Sequence, residues 1–375
     1  MRTTAAVLDE PIDSSDFAET EPATIEEITV IEPVREEVLV EITAASLCHT
    51  DVASARGHFE EACPCVMGHE GAGVVRAVGD DVKSVEPDDP VVLGRITCGR
   101  CEYCRAGKDQ HCVERTEARQ RGTLRTGDVR FARDGDPVHH YHGVSSFTEH
   151  TVVTEEVAIP VPEKLPPEQA TLLGCGVFTG VGAVMNTADV EAASSVVIFG
   201  AGGVGLSAIQ GARIRGATTI VAVDIISEKL DRAADVGATH TIDSSALENP
   251  VAEICDICNG GADYAFEVVG NKQVAQQAVE VLAPTGQAVL VGVPPSGPRE
   301  LELNLNEVVL DEKTMRGSFN GSYSLPLAIP QLAELAVTDN LLLKPLVTDE
   351  KPLDRLNKAM RELESGSGVR QIIRP

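Results

Sequence analysis

Between residues 194 and 293 short apolar runs alternate with amphipathic stretches, and no other feature limits the fold so tightly. The runs at 196–199, 220–223, 264–268 and 288–293 read as strands buried on both faces, and helical periodicity follows Gly203 and covers 228–236 and 274–282. This alternation predicts an α/β, doubly wound parallel sheet of the Rossmann type. Gly200-Ala201-Gly202-Gly203-Val204-Gly205 stands at the first strand-to-helix junction. There the first glycine makes a tight turn, the second lets backbone approach a pyrophosphate, and the third allows close helix–strand packing. Asp224 ends the next strand, where a carboxylate accepts hydrogen bonds from an adenosine ribose and repels a 2′-phosphate. NAD is therefore expected rather than NADP, with Lys229 in reach of the same ribose. A glycine turn alone would be a weak signal; the strand-end aspartate gives it weight.

Upstream the pattern is different. Short β-type runs broken by Gly and Pro fill the first half; residues 38–42 alternate, and 71–78 reads as a strand ahead of Gly79-Asp80-Asp81. Helical stretches return at 327–336 and 353–363. Cys98, Cys101, Cys104 and Cys112 form a C-x2-C-x2-C-x7-C run. Tight turns with two-residue gaps can present four thiolates to a tetrahedral zinc at about 2.3 Å, so a closed structural zinc site is expected. Paired disulfides fit a reducing compartment poorly, and the spacing matches neither common ferredoxin pattern. Such a metal stabilises a loop and performs no chemistry.

The 375 residues suffice for two domains at roughly 100–200 residues each. No apolar stretch approaches the ~20 residues of a membrane-spanning helix, and the first residues read as a strand rather than a leader, so a soluble, cytoplasmic protein is expected. Fifty-eight acids against 31 bases give a net charge of −27. That field repels nucleic acid and anionic membranes, and its scale suggests adaptation to high salt, where screening relieves self-repulsion.

Cys48, His69 and Cys175 could form the Cys–His–Cys set of a catalytic zinc with one open position, although ligands so far apart in sequence are a weak signal alone. Their surroundings carry more. Gly68-His69-Glu70-Gly71-Ala72-Gly73, the four-cysteine run, Gly174-Cys175-Gly176-Val177-Phe178-Thr179-Gly180 and the Gly200 turn occur in that order. Together they resemble the zinc-dependent medium-chain alcohol dehydrogenases over essentially the whole chain. Arg121-Gly122-Thr123, Arg130-Phe131 and Val138-His139-His140-Tyr141 are similar to the dimeric liver-type and class III branch.

The resemblance implies a β-rich GroES-like catalytic domain from 1–176 and 320–375, a Rossmann domain from 177–319, two zinc ions, NAD, and a homodimer with a tetramer as alternative. It implies catalytic zinc on Cys48, His69 and Cys175, with Glu70 behind the metal and Asp51 bonding the far nitrogen of His69. Thr50 would take the alcohol proton toward the nicotinamide ribose. His49 and Arg370 would face the pyrophosphate, Thr179 and Val204 would pack at the nicotinamide, and Val293 would also bind the cofactor. Phe59, Gly94, Tyr141, His142 and Phe319 would line the substrate pocket. Two departures stand out. Ala53 replaces the histidine that ends the liver-type proton relay, and Gly94 replaces an aromatic, which suggests a wider site for a bulky or aromatic alcohol.

The leading expectation is reversible oxidation of a primary or secondary alcohol by hydride transfer to NAD. A rival is oxidation of an S-(hydroxymethyl)thiol, the formaldehyde adduct, because the zinc-site motifs also resemble the class III enzymes. Against it, Gly57-His58-Phe59-Glu60 lacks that class's acidic stretch, and Arg115 lies one position from the matching place. A non-catalytic dinucleotide-binding protein on the same scaffold is disfavoured by the intact ligand trio. A dehydrogenase that keeps NAD bound and uses an external acceptor is a further possibility.

Overall fold

A computed structural model describes residues 1–12, 20–294, 300–366 and 368–375. Two compact units emerge, Met1–Cys175 with Ser324–Pro375, and Gly176–Tyr323. The second crossing falls four residues beyond the expected 319/320 boundary. The turn Asn320–Ser322 stays with the second unit because Gly321 packs against Gly182, where either Cβ would collide with the other's backbone. Thr187 Oγ1 also meets Ser318 Oγ at 2.7 Å and Ser322 Oγ at 3.0 Å.

In the second unit six parallel strands lie in the order His240–Asp243, Thr219–Asp224, Ser195–Phe199, Ala262–Glu267, Leu282–Leu290, Thr314–Gly317. Strand order reverses beside Ser195–Phe199, the switch point at which a doubly wound sheet binds its ligand. Val196, Val197 and Ile198 are fully buried, each contributing about 1.5–3 kcal/mol from apolar burial. The helix expected over 274–282 ends at Glu280, because Leu282 already opens the next strand.

The first unit has a closed barrel of Arg2–Leu8, Ala23–Val30, Phe131–Arg133, Asp136–His140 and Cys65–Val66. Beside it a second sheet runs Ala158–Pro160, Pro90–Leu93, Gly71–Val78, Glu37–Leu47, Arg370–Arg374, Val347–Pro352, with His150–Thr154 also paired to Glu37–Leu47. Such a barrel and sheet form a GroES-like domain. The alternation at 38–42 puts Val38, Val40 and Ile42 into the main apolar cluster with Leu47, Met67 and Phe147. Strand ends deliver the chemistry: Cys48 follows Glu37–Leu47, and His69 and Glu70 immediately precede Gly71–Val78. Among the described residues, no single helix is long and apolar enough to cross a membrane.

Candidate active site

Cys48 takes the N-cap position of the helix His49–Ala55, and its N–H donates to Asp51 Oδ2 at 2.9 Å. The other Asp51 oxygen accepts from His69 Nδ1 at 2.8 Å. Burial raises the Asp51 carboxyl while His69 pulls it back down. With Nδ1 committed to the carboxylate, Nε2 is the nitrogen left for a ligand. That Nε2 is buried without a hydrogen-bond partner. It lies with Cys48 Sγ, Cys175 Sγ and a Glu70 oxygen in a group whose ligand atoms are all within 4.8 Å of one another. An orphaned imidazole nitrogen facing two thiols fits a zinc with an open position.

Glu70 is fully buried. Its Oε1 accepts from Arg370 Nη1 at 3.0 Å and lies 4.0 Å from His69 Nε2, while Oε2 has no partner. Burial lifts this carboxyl to about 7 against the opposing pull of Arg370. Arg370, expected at the pyrophosphate, is itself buried and serves as the counter-ion of Glu70. Its charge also favours the Cys48 thiolate, whose pKa falls chiefly through a hydrogen bond with Cys175. Thr50 Oγ1 lies 3.8 Å from Cys48 Sγ, and His49 is exposed on the first turn of its helix.

The knuckle cysteines also converge. Cys98 and Cys104 sulfurs are 3.9 Å apart, and the amides of Cys98, Cys101 and Cys104 donate to the sulfurs of Cys112, Cys98 and Cys101 at 3.3, 3.3 and 3.5 Å. Amide donors of this kind stabilise thiolates. Bonds from the Cys104 and Val113 amides hold Cys101 at about 6. Four thiolates so close need a cation, and zinc suits the set.

The residues expected at the substrate pocket divide. Tyr141 is buried to 1% exposure and its hydroxyl is tied to Ser54 Oγ at 2.8 Å, so it backs the wall rather than facing a substrate. His142 holds a left-handed φ of 56°, a conformation costly for a residue with a side chain, and its ring lies 5.5 Å from that of His69. Its Nε2 is 3.4 Å from Glu61 Oε1, an oxygen that also accepts from Arg119 at 2.7 Å and Ser54 at 3.2 Å. Burial lowers His142 to about 4; against its own burial cost, Glu61 is held at about 2 by His142 and Arg119. Arg119 stands over the Phe59 ring at 5.4 Å. Sequence reasoning missed this polar network near His69, because it joins Ser54, Glu61, Arg119 and His142 from four separate segments.

Gly94 corrects an expectation. A Cβ there would stand 2.5 Å from Leu325 Cδ2 and 2.9 Å from Ile159 Cδ1. The space that a side chain would start to fill is already occupied, so the glycine does not by itself widen the site.

In the second unit Gly200 has φ +101°, a Cβ on Gly205 would overlap the Gly200 carbonyl oxygen, and Gly202 has open space where its Cβ would be. Gly202 is the N-cap of the helix Gly203–Arg215, and Val204 lies in its first turn. Asp224 Oδ2 accepts from the Ala201 amide at 2.7 Å and Oδ1 from those of Ile225 and Ile226 at 2.8 and 3.0 Å, which fixes the carboxylate beside the turn. Open space over a helix N-terminus beside an anchored carboxylate fits a dinucleotide. Thr179 is buried with an unpartnered Oγ1, and Gly180 packs on the Val204 carbonyl. Lys229 is half-buried on the helix Ser227–Val236, while Val293 and Phe319 are exposed.

Residues 34–163 match the alcohol dehydrogenase GroES-like domain, and residues 203–337 match the zinc-binding dehydrogenase domain. An S-(hydroxymethyl)glutathione dehydrogenase of Escherichia coli is 39% identical over 362 residues, spanning 96% of this chain and 98% of its own. Among solved structures, an alcohol dehydrogenase zinc-binding domain protein from Burkholderia ambifaria superposes with a TM-score of 0.93 at 37% identity, covering 100% of this chain and 99% of its own. Benzyl alcohol dehydrogenase from Acinetobacter calcoaceticus gives 0.91 at 33% identity with the same coverage.

Proposed function

The chain belongs to the zinc-dependent medium-chain alcohol dehydrogenase family, and from that premise we propose that it oxidises a primary or secondary alcohol reversibly, with NAD as hydride acceptor. The observation that carries this reading is the buried, unpartnered Nε2 of His69 set among Cys48, Cys175 and Glu70. Zinc on Cys48, His69 and Cys175 would supply Lewis-acid polarisation of the alcohol oxygen, and NAD the hydride-accepting ring. Asp51 holds the His69 tautomer. Glu70, balanced by Arg370, keeps a carboxylate behind the ligands, available during ligand exchange. Thr50 would take the alcohol proton, and Ala53 offers no base to pass it on, so the proton must leave to water or to another base. Asp224 selects NAD over NADP by charge.

An aromatic alcohol is supported by the likeness to benzyl alcohol dehydrogenase rather than by any extra space at Gly94. A second reading, an S-(hydroxymethyl)thiol as substrate, has its own support in the curated relatives. A second copy would pair along Thr314–Gly317, an edge strand exposed at all four residues, near exposed Leu305, Val309 and Leu310.

Zinc-loaded protein should be assayed in high salt with NAD and NADP against aliphatic alcohols, benzyl alcohol, and formaldehyde with and without glutathione. NAD-linked turnover of benzyl alcohol is expected. Turnover confined to formaldehyde plus thiol would establish the second reading, and no turnover of any of these substrates with either cofactor would refute both.

A further inference from the structure

Glu267 is the last residue of the strand Ala262–Glu267 and is 2% exposed. A buried carboxylate persists only where charge or hydrogen bonds compensate it. Among the described residues its compensation comes from backbone amides: Oε1 accepts from Gly270 at 2.6 Å, Val269 at 2.7 Å and Asn271 at 3.4 Å. The Gly292 amide adds a further bond to the carboxylate, and a Cβ on Gly292 would stand 2.7 Å from Oε2. The carbonyl oxygen of Glu267 accepts from Val291 at 2.8 Å and from Gly292 at 3.1 Å. One residue thus holds two loops, 268–271 after its own strand and 291–293 after the strand Leu282–Leu290.

The two loops meet backbone to backbone. A Cβ on Gly292 would stand 2.0 Å from the Gly270 nitrogen, and Gly270, at φ +81°, would bring its own to 2.7 Å from the Val293 carbonyl oxygen. The first loop also rests on the glycine turn, since a Cβ on Gly200 would stand 2.7 Å from Val269 Cγ2 and 3.1 Å from Val268 Cγ2. Val269 and Val293 remain 54% and 63% exposed, which leaves apolar surface uncovered beside that turn.

Placement in the sheet says which part of a dinucleotide these loops can meet. A doubly wound sheet consists of two halves, each suited to one mononucleotide, and the ligand lies across the switch point at the carboxyl ends of the strands. Phe199 pairs with Glu267 across that point. The Gly200 turn and Asp224 belong to one half, where they suit the pyrophosphate and the adenosine ribose. Glu267 and its two loops stand at the carboxyl ends of the other half.

We propose that Glu267 is a positioning residue of the cofactor site: by gathering amides from both loops, its carboxylate builds the wall against which the nicotinamide half of the dinucleotide binds. The inference rests on the reading that the Gly200 turn and Asp224 hold a dinucleotide. In Glu267→Gln one acceptor oxygen becomes an NH2 group facing amide donors, so the two loops can no longer both be held.

The test measures binding to full-length, zinc-loaded protein in high salt: NADH by its fluorescence, and ADP-ribose by displacement of NADH. Glu267→Gln should raise Kd for NADH about tenfold, the scale for disturbing one hydrogen bond to a charged group, and leave Kd for ADP-ribose unchanged. Glu267→Asp, which keeps the charge on a shorter side chain, should recover part of the NADH affinity. Asp224→Asn should instead weaken both ligands together, because both carry the adenosine ribose. Should Glu267→Gln fold poorly, hydrogen exchange on the wild type makes the same distinction: NADH should protect the amides of 269–271 and 291–293, and ADP-ribose should not. A Kd ratio of NADH to ADP-ribose unchanged in Glu267→Gln, or equal protection of the loops by both ligands, would overturn the inference and leave the cofactor reading standing. A wild type that binds neither ligand would overturn both.

Discussion

His140 gives a stability prediction whose size can be worked from its surroundings. It ends the strand Asp136–His140, is 2% exposed, and its Nε2 accepts from the Arg130 amide at 3.1 Å. The Phe131 ring lies 4.8 Å away, and the Arg130 guanidinium is bound to Glu37. Burial first, then the charges of Arg130 and His139, lowers its pKa from 6.5 to about 3. The native imidazole is therefore neutral in acid where the unfolded one takes a proton. A basic group with a depressed folded pKa leaves stability intact above its unfolded value and removes it as pH falls toward the folded one. At about 1.4 kcal/mol per unit, and with the unfolded imidazole only half protonated at pH 6.5, going from pH 6.5 to 4.5 should cost roughly 2 kcal/mol through this residue. In His140→Gln an amide oxygen can still accept from Arg130 but cannot titrate. Urea denaturation of both proteins near pH 7 and near pH 4.5, in about 1 M salt to suppress surface electrostatics, measures the difference. Wild type should lose roughly 2 kcal/mol more than the variant across that interval. Equal losses would refute the reasoning, and because Glu61, His142 and the zinc ligands are common to both proteins, their acid sensitivity cancels.

The metal centres should separate by function: Cys175→Ala should abolish turnover with little change in Tm, whereas Cys101→Ser should lose one zinc per chain and lower Tm, as read by metal analysis and calorimetry. Asp224→Asn keeps the shape of the carboxylate but not its charge, so KM for NAD should rise about 10- to 100-fold and turnover with NADP should increase. Met315→Glu, placing a charge on the exposed edge strand Thr314–Gly317, should shift the protein from dimer to monomer in sedimentation at equal salt.

The parts legible in the sequence are those in which a local pattern leaves the chain few options. A parallel sheet buried on both faces demands continuous apolar runs, so Ser195–Phe199 and Thr219–Asp224 announced themselves, as did the turn that needs glycine at 200 and 205. Four thiols at short spacing are equally restrictive. The catalytic ligands are another matter, because Cys48, His69 and Cys175 come from three segments and only family resemblance joined them.

What escaped was set by contacts between distant segments. Glu61 is one of 58 acids with no local pattern to mark it, and only the folded arrangement of Ser54, Arg119 and His142 makes it an anchor. Gly94 shows the same limit more sharply. A glycine in place of an aromatic implies space if the rest of the wall is held constant, but walls are built from several segments and protein interiors stay close-packed. Leu325 occupies the volume beside Gly94, and its amide donates to Asp109, a carboxylate in the zinc knuckle far away in sequence. Whether a glycine at 94 leaves space is therefore a property of the pair 94 and 325, and it can be read from sequence only when both members are known to touch.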